Sequence, residues 1–472
     1  MSAIITEQFR RNSAKSLLQD IQTLDTSYYV GLGKSDKWVD DEQSRDWTVP
    51  TATGTNGEAI DIKSNIITLL KADSTNTRLT IPRINYKSGV RYKEYTPYDE
   101  NCFYPTRLSG VDYLPCYVVV NGVSSIAIYM CLHAPTNSIS SYVPDDTTSY
   151  RPRTYGNDGY VWALIDHFTI SEAVINTDQY ISINGGSVIG STAVDIQNSS
   201  GGVLYGFTVK NGGTGYAAGQ FDIRFKPYSS TGASYEPITC TAKTTNGSIT
   251  AVELPSNYII GSNLGIAGGI FEIVDPIEGS AGAIIQPHIT PLLGLAHTPS
   301  NILPSWFIGV SVKAMDDISA DGFYIPYRQI SILKNVSHNK PGERPLTLGA
   351  LKYLKLLNAK PELENILPGT KITFATQSDT VAIFDAYTVV DVNGTSEFRV
   401  YYHQNETSGY GWIDDVDNIT IGNIDTYAGL PYFAKSNNEY TPGSGDLIFI
   451  ENRKAIVRAQ SQTEEIKIII QL

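Results

Sequence analysis

The side chains best placed to do chemistry in this 472-residue chain are six histidines, four cysteines and 48 carboxylates, together with a few glycine-rich turns. Imidazoles that share a zinc ion on one helix face stand at i and i+4. His133, His167, His288, His297, His338 and His403 form no HxH, HxxxH or HExxH pair, so each reads as a surface or satisfied core residue. Cys102, Cys116, Cys131 and Cys240 show no CxxC spacing and no nearby His pair. The first three are close enough in sequence to leave a bridge open, but buried free thiols in a reducing compartment are the expectation.

A phosphate cradle of the GxxxxGK[ST] type is missing. Asn211-Gly212-Gly213-Thr214-Gly215 follows a strand-like run, as a dinucleotide fingerprint would. Residues 216–223 then read as a further strand, where a helix would be needed to face a pyrophosphate, so these are turn glycines. Asp414-Asp415-Val416-Asp417-Asn418 could gather around calcium, yet it lacks the glycine and distal glutamate of a twelve-residue calcium loop and reads as a solvated turn. No GxSxG elbow accompanies the serines, and paired glycosidase carboxylates cannot be chosen without geometry. The expectation is a protein without enzymatic activity, with no catalytic, cofactor-binding or metal-ligating residue to assign.

What must position the remaining side chains is a β-rich scaffold. The chain holds 30 Tyr, 40 Gly and 23 Pro but only 3 Met, a composition suited to pleated, half-buried surfaces punctuated by turns. Its length is about three times that of a typical domain of ~150 residues, so several domains are expected. A net charge of −13 argues against a nucleic-acid or anionic-membrane binder, which would gather excess Lys and Arg. No window reaches the ~18 apolar residues of a membrane span. The first residues lack the apolar core of a signal peptide, so synthesis and folding in a cytosol are expected.

Along the chain, residues 6–24 form an amphipathic pattern with Phe9, Leu17, Leu18, Ile21 and Leu24 near one face and Thr6 as N-cap. Strands are expected over 27–33, 78–86, 159–165, 308–312 and 327–333, and short helices over 64–71 and 346–359. Residues 116–132 predict a hairpin whose Asn121-Gly122 would take the positive φ angles of a type I′ turn. From about residue 183 the composition becomes Gly-, Ser- and Thr-rich, with a weak repeat in which residues 202–216 are echoed by 247–258. Residues 370–404 are strongly strand-patterned. Three apolar runs at 447–450, 455–459 and 466–470 predict a closing meander whose last strand needs cover. The predicted fold is therefore mainly β with a few short helices (α+β). It comprises a discontinuous core (1–185, 306–345 and 442–472), a Gly-rich inserted β-module (186–305) and a second sandwich- or barrel-like inserted module (346–441).

Two aromatic clusters stand out: Tyr142, Tyr150, Tyr155, Tyr160 and Trp162, then Tyr402, Tyr410, Trp412, Tyr427, Tyr432 and Tyr440. Such rings bind sugars or bury protein interfaces with little entropy loss, and subunit contact is the favoured reading. The interface candidates are Trp38, Tyr160, Trp162, Trp412, Arg453 and Ile468.

Several phrases resemble, in one order, the baseplate wedge proteins of T4-like contractile-tailed phages, of the gene 8 product type. They begin with Phe9-Arg10, Gly33-Lys34-Ser35-Asp36-Lys37-Trp38 and Ile81-Pro82-Arg83. Tyr129-Met130-Cys131-Leu132, Asp158-Gly159-Tyr160-Val161-Trp162 and Tyr327-Arg328-Gln329-Ile330-Ser331-Ile332 follow. The last is Ser444-Gly445-Asp446-Leu447-Ile448-Phe449-Ile450-Glu451-Asn452-Arg453 with Gln462-Thr463-Glu464-Glu465-Ile466. The phrases cover residues 1–185, about 306–335 and 442–472, and this chain is longer than the family pattern by its two insertions. The resemblance implies a homodimeric structural subunit, without cofactor, that joins other wedge subunits in the virion tail baseplate and helps transmit the rearrangement that triggers sheath contraction. It would be assembled in the host cytoplasm. A carbohydrate-binding tail or receptor module is the alternative.

Overall fold

The computed structural model describes residues 6–23, 27–34, 62–184, 193–231, 235–274, 279–313, 327–337, 349–357, 365–375, 380–392, 394–404, 413, 417–422, 430–436, 440–456 and 465–472. The fold is mainly β and multi-domain. Two compact units divide the chain, and both are discontinuous: residues 1–16, 78–309 and 469–472 form one, residues 17–77 and 310–468 the other. The Gly-rich segment 186–305 falls in the first unit and the segment 346–441 in the second.

The first helix, Glu7–Gln22, starts where the sequence places it. Thr6 Oγ1 accepts the Phe9 amide at 3.3 Å, satisfying one of the orphan donors of the first turn. Ile21 is buried and Leu17 and Leu18 half-buried on its inner face as expected, but the first turns differ. Phe9 is 61% exposed, whereas Arg11 is buried, donating from Nε to the Leu303 carbonyl at 3.1 Å and lying over the Phe103 and Trp306 rings. A guanidinium is weakly hydrated and planar, so two aromatic faces and a carbonyl can replace its water.

In the first unit, the strands Tyr117–Asn121, Ser125–His133, Val161–Thr169 and Arg153–Thr154 form a sheet in that order. The expected hairpin is present, with Tyr117 opposite Met130 and Asn121 opposite Ile126. Its turn is not type I′, because neither Asn121 nor Gly122 has positive φ. The Gly122 amide instead reaches the Ser125 carbonyl at 2.8 Å, a wider loop that leaves Val123 in solvent. In the Gly-rich segment, Leu204–Thr214 pairs with Ala281–Ile289, and a second sheet runs Ser248–Glu253, Ile238–Thr245, Gly219–Ser229, Ile266–Ile273. The two copies of the weak repeat thus lie in different sheets, yet Tyr216 and Tyr258 pack on one core with Ile223, Phe225 and Ile249.

In the second unit, a five-stranded sheet has the order Gly349–Leu351, Ile66–Ala72, Tyr28–Gly33, Tyr327–Lys334, Asp446–Ile456. The segment 64–71 was expected as a helix. Only residues 62–65 are helical, and Ile66, Ile67, Leu69 and Leu70 are all buried in a strand with neighbours on both sides. Apolar residues on both faces satisfy a buried strand as well as a helix, and the β-branched pair tips the choice. Of the expected helix over 346–359 the described residues 349–357 form two short strands, Gly349–Leu351 and Tyr353–Leu356. Leu354 and Leu356 point into one core by alternation, while Leu357, counted in the helical spacing, is 58% exposed. Tyr353–Leu356 belongs to a closed barrel with Thr395–His403, Val381–Val392, Lys371–Phe374, Asp417–Ile421 and Leu430–Ser436, a ring without free edges.

The closing meander is also corrected. The first apolar run and the first two residues of the second, Ala455 and Ile456, lie on the single strand Asp446–Ile456, whose register against Tyr327–Lys334 shifts twice. The third, Glu465–Gln471, joins a different sheet, in the order Tyr180–Ser182, Thr77–Pro82, Phe307–Lys313, Glu465–Gln471. Its Ile466 and Ile468 are each 6% exposed.

Gly33 sits at a register shift against Ile66–Ala72, and a Cβ there would stand 2.1 Å from the Asn65 carbonyl oxygen. Backbone cannot swing aside as a side chain can. Gly33→Ala is expected to destabilise the protein by about 1–3 kcal/mol in urea unfolding, the usual cost of overpacking, and an unchanged midpoint would contradict the close approach.

Candidate functional site

The interface candidates separate into three groups. Trp38 and Trp412 lie outside the described residues, as do Asp414 to Val416 of the acidic turn; Asp417 and Asn418 begin a barrel strand. Tyr160 and Trp162, expected at a subunit contact, are each 1% exposed. Trp162 meets Tyr92 edge-on at 5.2 Å and stacks on Tyr160 at 6.1 Å, so the rings fill a core and present no outer surface. Ile468 is buried, and Arg453 is half-buried on the strand Asp446–Ile456. Alternation alone could not show this, because a tyrosine-rich core and a tyrosine-rich surface look alike in sequence.

Above the Tyr160 cluster lies a cleft of about 680 Å³. Its wall is built by the 3-10 turn Glu100–Phe103, the strands Thr106–Leu108 and Val111–Leu114, and residues 134–138. Asp99 caps the turn by accepting the Asn101 amide at 3.0 Å. Arg91 lies 5.8 Å from the Tyr113 ring centre and donates to the Tyr113 hydroxyl at 3.3 Å. Lys93 donates to the Asn101 carbonyl at 2.7 Å. Tyr160 donates to the Ser138 carbonyl at 3.1 Å, and burial pushes its phenol up to about 12. The lining groups are the cations Arg91 and Lys93, the carboxylates Glu94 and Asp99, amides, hydroxyls, phenols and the Cys102 thiol.

A second surface lies on the outer face of the Gly-rich module. Tyr228 is 49% exposed, and a Cβ on Gly268 would stand 2.3 Å from its hydroxyl, so the ring lies flat across a bare stretch of the neighbouring strand. Lys226 and Glu272 form an ion pair at 2.8 Å on the same strand pair. A flat, exposed ring flanked by polar groups is a surface on which a sugar or a partner side chain could stack.

The barrel holds a buried ionic group that composition did not reveal. Glu397 accepts from Tyr353 Oη at 3.0 Å, Arg399 Nε at 2.9 Å and Lys355 Nζ at 2.5 Å. Burial acts to raise the Glu397 carboxyl, but the hydrogen bonds from Lys355, Tyr353 and Arg399 outweigh it and hold the group below its ordinary value. Arg399 is wholly buried, with its guanidinium 4.6 Å from the Tyr353 ring centre. His403 Nδ1 and Asp385 Oδ1 meet at 2.6 Å, both buried. Lys352 is buried too, reaches the Ser64 carbonyl, and is lowered to about 7 by desolvation. Tyr353 and Lys355 alternate with Leu354, and Glu397, Arg399 and His403 with Val400 and Tyr402, a pattern that reads as a solvated face unless something covers it.

Asp166 is the buried carboxyl of the first unit. It sits at a register shift in Val161–Thr169, and its oxygens accept the Asn184 amide at 2.8 Å and the His167 amide at 3.0 Å. Burial raises it to about 7. A carboxyl raised on folding holds its proton better in the folded state, so its contribution is fully present near pH 4 and is lost as pH rises towards 7. Unfolding free energy is expected to fall by about 2 kcal/mol between pH 5 and 7 from this group, and Asp166→Asn should remove that slope. An identical slope in the variant would assign the pH dependence elsewhere.

No protein-family model matches the chain and no curated protein matches it.

Proposed function

We propose that the chain is a structural subunit of a phage tail baseplate wedge, acting as a homodimer that links neighbouring wedge proteins and helps pass on the rearrangement that triggers sheath contraction. The observation that carries this reading is the ordered set of phrases resembling that family, two of which pack directly together. Residues 327–332 and 444–453 lie on hydrogen-bonded neighbouring strands, with Gln329 opposite Asn452 and Ile332 opposite Phe449. Gln329 Nε2 donates to Asn452 Oδ1 at 3.1 Å in the interior. Phrases more than a hundred residues apart are thus parts of one packed surface, the kind of constraint that keeps a family pattern together. Mass measurement in solution tests the reading: a dimer that binds other baseplate proteins is expected, and a strict monomer that binds none of them would overturn it.

The exposed Tyr228 ring favours a second reading, a carbohydrate-binding tail module. Binding on a glycan array that is lost in Tyr228→Ala would support it, and silence across host surface polysaccharides would remove it.

A further inference from the structure

The loop that walls the cleft begins and ends on cysteines. Cys102 lies in the Glu100–Phe103 turn and Cys116 immediately precedes the strand Tyr117–Asn121. The Cys116 amide donates to the Cys102 carbonyl at 2.9 Å, which holds the two residues side by side. Each thiol shifts the titration of the other, Cys116 favouring the Cys102 thiolate and Cys102 disfavouring that of Cys116. A backbone hydrogen bond of this length keeps the two Cα atoms within the ~7 Å that a bridge requires, so side-chain rotation can bring the sulfurs to bonding distance. All four cysteines are free in this structure.

The two sulfurs differ in setting. Cys102 lines the cleft, with Sγ 3.9 Å from the Thr96 carbonyl. Hydrogen bonding from Cys116 is the largest influence and favours the Cys102 thiolate, as does the Lys93 charge, while burial and the Asp99 carboxylate oppose it, and the balance lowers the thiol below its ordinary value. Cys116 is fully buried, and desolvation pushes its thiol well up. Cys102 is itself only 4% exposed, but it borders the cleft while Cys116 does not, so a solute in the cleft meets Cys102 first and Cys116 is left to resolve the product.

We propose that Cys102 and Cys116 are a reversible dithiol–disulfide couple opened to small-molecule disulfides by the cleft. In the first step the Cys102 thiolate attacks one sulfur of a disulfide such as oxidised glutathione, forming a mixed disulfide and expelling one glutathione thiolate, which takes up the proton Cys102 released. In the second step Cys116 gives up its proton and attacks Cys102 Sγ, expelling the second glutathione, which leaves as thiol. Two protein thiols lose two electrons and one glutathione disulfide becomes two thiols. The new bridge closes the ring from residue 102 to residue 116 and tethers both ends of the Thr106–Leu108 and Val111–Leu114 hairpin. Oxidation would thus restrain the cleft wall that carries Thr106 and Tyr113. Cys131 is the competing partner, since its amide donates to the Cys116 carbonyl at 2.7 Å. Its own Sγ is directed to the His133 carbonyl at 3.4 Å.

The test uses the full chain in its native state. After equilibration with oxidised glutathione, denaturing alkylation and mass spectrometry should find two of the four thiols lost, with one linked peptide pair joining Cys102 to Cys116 and full recovery in dithiothreitol. Cys116→Ser should trap glutathione on Cys102, and Cys131→Ser should leave the bridge intact. Four thiols remaining in the wild-type protein, or a bridge joining any other pair, would overturn the proposal, and neither result depends on how the variants fold.

Discussion

Replacing Glu397 by alanine is expected to destabilise the barrel by about 3–5 kcal/mol, the cost of breaking a buried ion pair by removing one partner. The carboxylate receives three donors, and one of them, Arg399, has no exposure at all. A guanidinium cannot shed its proton to escape a dry site. The loss should therefore appear as faster hydrogen exchange along Thr395–His403 and its neighbours Val381–Val392 and Tyr353–Leu356. Lys355 is 39% exposed at its side chain, so Lys355→Ala should cost no more than about 1 kcal/mol. The double change Glu397→Leu with Arg399→Met removes both charges at similar volume and should recover much of the single-variant loss. A Glu397→Ala protein unfolding within 1 kcal/mol of wild type would show that the pair is not desolvated.

The contrast between what was and was not legible in the sequence follows from period and cover. Strands such as Tyr28–Gly33 and Tyr327–Lys334 could be placed because dense apolar residues between turn signals fit little else. Residues 64–71 and 349–357 depart from the helices expected there for a related reason: apolar residues three apart (Ile66 and Leu69, or Leu351, Leu354 and Leu357) satisfy a helix face, and only the neighbouring strands decide that Leu354 and Leu356 share an interior. The same limit governs the candidate sites. Tyr160 and Trp162 carry the composition of a binding surface but fill a core, while Glu397 and Arg399 carry that of a solvated face but are covered. Cys102 and Cys116 could be counted, yet their nearness depends on a turn that folds the 102–116 loop back on itself. The flat placement of Tyr228 required Gly268 on an adjacent strand forty residues away. Local pattern specifies elements, whereas the chemistry of a side chain is set by what the fold lays over it.

Deleting residues 460–472 is expected to abolish soluble expression, because the strand it removes closes a sheet and supplies part of its core. Ile466 and Ile468 are each 6% exposed, and full burial of an isoleucine contributes about 1.5–3 kcal/mol. The ends are tied as well: Glu465 accepts from Ser311 Oγ at 2.6 Å, and the Leu472 amide donates to the Trp306 carbonyl at 3.1 Å. Without the strand, Phe307–Lys313 becomes an edge whose Phe307, Ile308, Val310 and Val312 are buried in the intact protein. An unpaired apolar edge is a template for association, so the truncated chain should collect in the insoluble fraction and form sheet-rich aggregates on refolding. Point changes separate burial from pairing. Ile468→Ala keeps every backbone hydrogen bond and should cost about 2–5 kcal/mol while remaining soluble. Ile470→Ala, at a half-buried position, should cost less. A truncated chain that stays soluble and melts like the full protein would mean that Phe307–Lys313 needs no cover, and the role given to the final strand would have to be abandoned.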